Sequence, residues 1–141
     1  MAEQPYATVS IDDLELREVE GIEPGLRAVG YELRPEESRP NVWEYEAGES
    51  SRRHRHDRQE EVYLVLSGRF ELAAGDETVP LEPGDVVVVP PDTWRTLTAV
   101  EAGRVFVYGA PPVADDDTVE TDVSGERPGE GDADDPGDDR A

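Results

Sequence analysis

The run RHRHDRQEE, residues 53–61, holds both histidines of the 141-residue chain, His54 and His56, one residue apart among arginines and carboxylates. Residues 54 and 56 share a parity, so on a strand both imidazoles project to one face. Glu61 follows after four intervening residues, enough for a short turn to bring the next strand's carboxylate into the same space. Two imidazoles and one carboxylate suit a borderline divalent ion, Fe, Mn, Ni or Zn, with coordination positions left for a substrate or oxygen. The competing readings need no metal. The same three side chains can line a polar pocket as hydrogen-bonding groups, or sit on a charged, solvated edge.

In a longer frame the spacing is Gly48-x5-His54-x-His56-x4-Glu61-x6-Gly68. This resembles the first conserved motif of the cupin superfamily, with every signature position filled. The stretch Gly84-x5-Pro90-x-Asp92-x2-Arg95-x3-Ala99 is similar to its second motif, and the resemblance spans residues 42 to 110. It implies a double-stranded β-helix, a jelly-roll barrel with the motif residues lining its interior. The metal ligands it implies are His54, His56 and Glu61, and it further implies a homodimer formed through sheet edges and N-terminal segments. Glu60 is the neighbouring alternative, but the six-residue gap to Gly68 selects Glu61. Adjacent strand residues face opposite sides, so only one of the two can join the site. Gln59 can reach the pocket rim, but the first reading is a surface turn residue.

The second motif departs from the family's at three positions. Asp92 stands where the pattern has Gly, Ala99 where it has Asn, and Arg95 aligns with the third metal histidine. A guanidinium stays protonated and has no lone pair to give a metal. With its charge about 5 Å from a divalent ion, at an effective dielectric of about 20, it would be repelled by roughly 6–7 kcal/mol. Three arrangements escape this. Arg95 can turn away, or an anionic ligand can bridge ion and guanidinium and make Arg95 its clamp. In the third, Arg95 pairs with Glu61 in a metal-free pocket. Tyr63 shares the parity of Glu61 and can present its hydroxyl to a ligand. The functional reading is a small cupin that binds a small anionic molecule in its barrel through Arg95 and Tyr63, with or without a divalent transition metal on His54, His56 and Glu61. The alternative is a metal-dependent enzyme of the oxygenase or isomerase type acting on a small carboxylate, sugar or phosphate. The sequence identifies no catalytic acid or base for it.

The elements that must position these groups are β throughout. Strands are expected over Leu26–Leu33, Val42–Glu46, Glu61–Leu66, Arg69–Ala73, Glu77–Leu81, Asp85–Val89, Arg95–Val100 and Arg104–Tyr108. Each is short, rich in Val, Leu, Tyr or Thr, and bounded by Gly, Pro or Asp. Ser67-Gly68 and Gly75-Asp76 are placed for hairpin turns. Eight short strands at regular spacing argue for a small all-β barrel or sandwich over residues 26–110. Before it, residues 1–25 hold a short helix capped by Ser10 or an edge strand. Trp43 and Tyr45 share one strand face, as do Phe106 and Tyr108, and these aromatics are assigned to packing.

Residues 111–141 carry twelve acidic residues against two arginines, with clustered Pro and Gly, and are expected to form a disordered acidic tail. The whole chain has a net charge of −22, and its thirteen basic residues are all arginine. Such a surface repels nucleic acid and anionic membranes and fits a halophilic cytoplasm, where salt screens self-repulsion. The absence of cysteine excludes disulfides and Cys-based zinc sites. No signal-peptide pattern or membrane-length apolar run is present, so a soluble cytoplasmic protein is expected.

Overall fold

The computed structural model describes residues 5–120. Eleven strands within them form two antiparallel sheets facing each other across one apolar core. The first sheet runs, in spatial order, β1 (Leu16–Arg17), β2 (Gly25–Arg27), β3 (Arg39–Tyr45), β10 (Gly103–Ala110), β5 (Glu60–Val65) and β8 (Val86–Val89). The second is β11 (Asp117–Val119), β4 (His54–His56), β9 (Arg95–Glu101), β6 (Arg69–Ala74) and β7 (Glu77–Leu81). This is the all-β jelly roll that the pattern of short strands anticipates. Alternation along each strand fills the space between the sheets with Trp43, Tyr45, Tyr63, Val65, Phe70, Leu72, Leu97 and Val105, each 5% exposed or less. A fully buried side chain of this kind contributes about 1.5–3 kcal/mol.

Four expectations need correction. The strand begun at Gly25 stops at Arg27, and Val29–Leu33 instead makes one turn of helix, α1. Val29 and Leu33 then share a helix face and pack with Leu14, Val42 and Phe106 on the outside of the first sheet. Ser10 makes no side-chain cap; it precedes a single 3₁₀ turn, Ile11–Asp13, and the edge strand Leu16–Arg17 follows.

Third, Gly75-Asp76 does close a hairpin, with Ala74 opposite Glu77, but Ser67-Gly68 carries the chain from β5 in one sheet to β6 in the other. It packs directly on the crossing from β9 to β10. A Cβ on Gly68 (φ +79°) would collide with the backbone of Ala102 and Gly103, so close approach dictates glycine there.

Fourth, order extends past residue 110. Asp117–Val119 pairs antiparallel with His54–His56, placing Asp117 opposite His56 and Val119 opposite His54. Average composition hid this strand, whose backbone bonds and buried Val119 suffice to hold it. The rest of the expected tail, 121–141, lies outside the described residues. No helix among the described residues is long and apolar enough to cross a membrane.

Candidate functional site

Strand parity brings the predicted groups together. β4 buries His54 and His56 and turns Arg55 outward, where it pairs with Asp57 and Asp92 at 3.1 and 3.0 Å and lies over the Trp94 ring. β5 buries Glu61 and Tyr63 and leaves Glu60 exposed, so the carboxylate in the barrel is Glu61. β9 places Arg95 directly opposite His54 in the ladder. His54, His56, Glu61, Tyr63 and Arg95 are all 4% exposed or less.

The two oxygens of Glu61 have different company. Oε1 accepts from Arg95 Nη1 at 2.6 Å and from the Tyr63 hydroxyl at 2.8 Å. The Arg95 guanidinium also donates through Nε to Thr93 O (2.9 Å) and through Nη2 to Pro90 O (3.0 Å). Of the three arrangements open to Arg95, the direct pair with Glu61 is the one present, and the Tyr63 hydroxyl is spent on the same oxygen. Oε2 has His56 Nε2 at 3.3 Å, while His54 Nε2 stands 3.8 Å from Oε1. Neither histidine nitrogen forms a hydrogen bond with the carboxylate. Burial works to raise the Glu61 carboxyl, and a proton on either facing imidazole works the other way, holding it well below the usual carboxylate range. Burial and the Glu61 charge push the Tyr63 phenol well above its ordinary value, so it remains a donor.

His54 shows what the cluster lacks. Its Nδ1 lies 2.9 Å from the backbone oxygen of Arg52. A carbonyl can only accept, so Nδ1 carries the proton and Nε2 presents a bare lone pair toward Glu61. Burial pushes the His54 imidazole down, against the pull of Glu61, which keeps it neutral. Two buried acceptors therefore face each other with no donor between them. The Nε2 atoms of both histidines have no partner, and a ligand atom from each of His54, His56 and Glu61 falls within 4.8 Å of the others. A cation among these atoms would satisfy all of them. The residues therefore fit a divalent ion held by His54 Nε2, His56 Nε2 and Glu61 Oε2, while Arg95 and Tyr63 occupy the second oxygen.

A narrow cleft of about 20 Å³, room for about one water, borders this cluster at His54; its wall includes Trp43, Tyr45, Ser51, Arg52 and, from the C-terminal strand, Asp117 and Val119. Arg95 and Tyr63, expected to bind ligand, do not line it. Trp43 brings a buried indole N–H without a partner.

Two residues were misjudged from sequence. Gln59, read as a surface residue, is 2% exposed and donates through Nε2 to Pro111 O at 3.0 Å. Asp116, assigned to the tail, is 6% exposed. Its carboxylate accepts from the amides of Arg58 (3.0 Å) and Gln59 (2.9 Å) and stands 3.6 Å from His56 Nδ1. Its only signal in the sequence is the Thr118-Val119 pair just beyond it, strand-forming residues in an otherwise polar stretch.

Residues 41–108 match the family model of the cupin domain. No curated protein matches the chain in sequence. Among solved structures it is similar to KdgF from Halomonas sp., with 24% identity, 74% of this chain and 94% of that one covered, and a TM-score of 0.65. It is also similar to an uncharacterized conserved protein with a double-stranded β-helix domain from Klebsiella pneumoniae, at 22% identity, 85% and 100% coverage and a TM-score of 0.67. A third likeness is to a candidate sugar phosphate isomerase from Acidithiobacillus ferrooxidans, at 24% identity, 62% and 58% coverage and a TM-score of 0.57. The chain thus spans little more than half of that last protein. At these identities the likeness is one of fold.

Proposed function

This chain belongs to the cupin superfamily, and on that premise we propose that its barrel holds a divalent transition metal on His54, His56 and Glu61 and binds a small anionic molecule beside it. The observation that carries the reading is the pair of buried, unpartnered Nε2 atoms turned toward a carboxylate. Three protein ligands leave coordination positions open, and an ion in such a site supplies Lewis acidity to a bound oxygen. The anionic character of the ligand follows from charge. Glu61 and Arg95 already neutralise each other at 2.6 Å, so a divalent ion brings positive charges to the barrel interior that Asp116, behind His56, offsets only in part. A carboxylate or phosphate on the ion offsets them. The unpartnered Trp43 N–H, at the wall of the adjoining cleft, is available to an oxygen of the same ligand. The candidate sugar phosphate isomerase among the fold neighbours has a name that fits a ligand of this class.

A second reading rests on the Arg95–Glu61 pair itself. Ion pairing of this quality completes a metal-free polar interior, and the protein is then a binding module with no metal. Elemental analysis of protein purified without a histidine tag or chelator separates the two. The metal reading expects close to one equivalent, lost in His54→Ala. A metal-free preparation that takes up no Fe, Mn, Ni or Zn on dialysis would establish the second.

A further inference from the structure

We propose that Asp116 is a positioning residue of the site, fixing the ring proton of His56 on Nδ1 so that Nε2 faces Glu61 as a lone pair. This deepens the metal reading in its consequence but does not depend on it for its geometry. His56 lies between two carboxylates, with Asp116 Oδ2 3.6 Å from Nδ1 and Glu61 Oε2 3.3 Å from Nε2; neither approach is a formed hydrogen bond, so the competition between the two is one of charge. A neutral imidazole has one N–H to direct, and the two acidic groups compete for it. Glu61 competes with less of its charge, because Arg95 and Tyr63 both donate to its other oxygen. Among the described residues no arginine side chain pairs with Asp116; its carboxylate accepts from the backbone amides of Arg58 and Gln59, which lock its orientation toward the ring. The balance favours the proton on the Asp116 side. Other titratable groups near the ring are His54, with ring centroids 5.1 Å apart, and Asp117, opposite His56 in the β4–β11 ladder.

The consequence concerns what the site can accept. With the proton on Nε2, His56 would donate to Glu61 and close the cluster on itself; a metal would first have to displace that proton. With the proton on Nδ1, the lone pair is ready and the ring is held from behind by a carboxylate, an arrangement whose loss typically weakens metal binding. The C-terminal strand thereby belongs to the site twice. It supplies Asp116 behind His56, and Asp117 and Val119 in the wall of the adjoining cleft.

The test compares the wild-type protein with Asp116→Asn, whose side-chain oxygen can take the place of Oδ2 on the Arg58 and Gln59 amides while the negative charge that competes with Glu61 for the His56 proton is gone. Two-bond ¹H–¹⁵N correlation spectra of metal-free protein report the tautomer of each histidine. The expected result is Nδ1–H for His56 in the wild type and Nε2–H in Asp116→Asn, with His54 unchanged. Co²⁺ affinity, measured by competition with a chromophoric chelator, is expected to fall about 10–100-fold in the variant. Wild-type His56 carrying its proton on Nε2 overturns the proposal without any variant being needed. An unmoved tautomer in Asp116→Asn, or a Co²⁺ affinity within about threefold of a binding wild type, also overturns it. Should the wild type bind no metal while the tautomer still moves, the positioning role stands and the metal reading falls.

Discussion

The two sides of the Glu61 carboxylate are built within one barrel interior and finished differently. On the Arg95 side every contact is made: two donors on Oε1 and two backbone carbonyls on the guanidinium. On the histidine side, burial is equally complete, yet both Nε2 atoms are left without partners. A fold that could satisfy one side has left the other open at a cost, because an unpaired polar group in a buried site typically loses about 1–3 kcal/mol. The closed side reads as structure that holds the carboxylate in place. The open side reads as the place where something else binds.

The contrast predicts separate phenotypes. The largest effect is expected from Glu61→Ala, which strands the Arg95 guanidinium, 0% exposed, without its counter-charge. Loss of one partner of such a pair costs about 3–5 kcal/mol, measurable by urea denaturation. Adding Arg95→Met to Glu61→Ala should recover most of that loss, since removing both charges removes the stranded one. A double variant as unstable as the single one would show that the pair does more than neutralise itself. Next comes Tyr63→Phe, which takes one of the two donors from Oε1 and leaves the ring in the core. A hydrogen bond to a charged acceptor is worth about 1.5–3 kcal/mol, and the loss should appear in the same denaturation curve with metal content unchanged. A fall in metal content with stability intact would erase the distinction between the two sides.

Sequence reasoning reached the open side better than its surroundings, and the causes are local. His54, His56 and Glu61 obey strand parity and a fixed spacing, and both survive folding because the barrel has one interior. The partner of Arg95 stayed among three options because partner choice depends on distance across the barrel, which no spacing along the chain records. β4 was not anticipated as a strand in its own right. RHRHD has little strand propensity, and His54–His56 is held by neighbours on both flanks, β9 and β11. Asp116 was lost in an average, since a segment with twelve acidic residues reads as solvated even where ten of its residues are ordered. The outer-face helix Val29–Leu33 was missed for the opposite reason: five residues are too few to show a helical period.

The smallest effect on stability, and the sharpest test of the contrast, belongs to His54→Gln in metal-free protein. Glutamine places an amide N–H₂ near the position of Nε2, so a donor replaces the lone pair facing Glu61 and stability at neutral pH should stay within about 0.5 kcal/mol of wild type or rise. Its pH dependence should change more than its magnitude. The wild-type His54 imidazole is pushed below its ordinary value by burial, so the unfolded chain binds a proton that the folded protein refuses. The resulting stability is present above about pH 6.5 and is lost as pH falls below it toward the folded value. Glu61, also held below its ordinary range, adds a second loss of the same sign at more acid pH, once the unfolded carboxyl begins to protonate. Thermal denaturation of chelator-treated protein between about pH 7 and 5 should therefore show a falling midpoint in the wild type and a flatter one in His54→Gln. Curves that run parallel through this range would mean that His54 is not held neutral in the barrel, and the lone pair on which the open side depends would be absent.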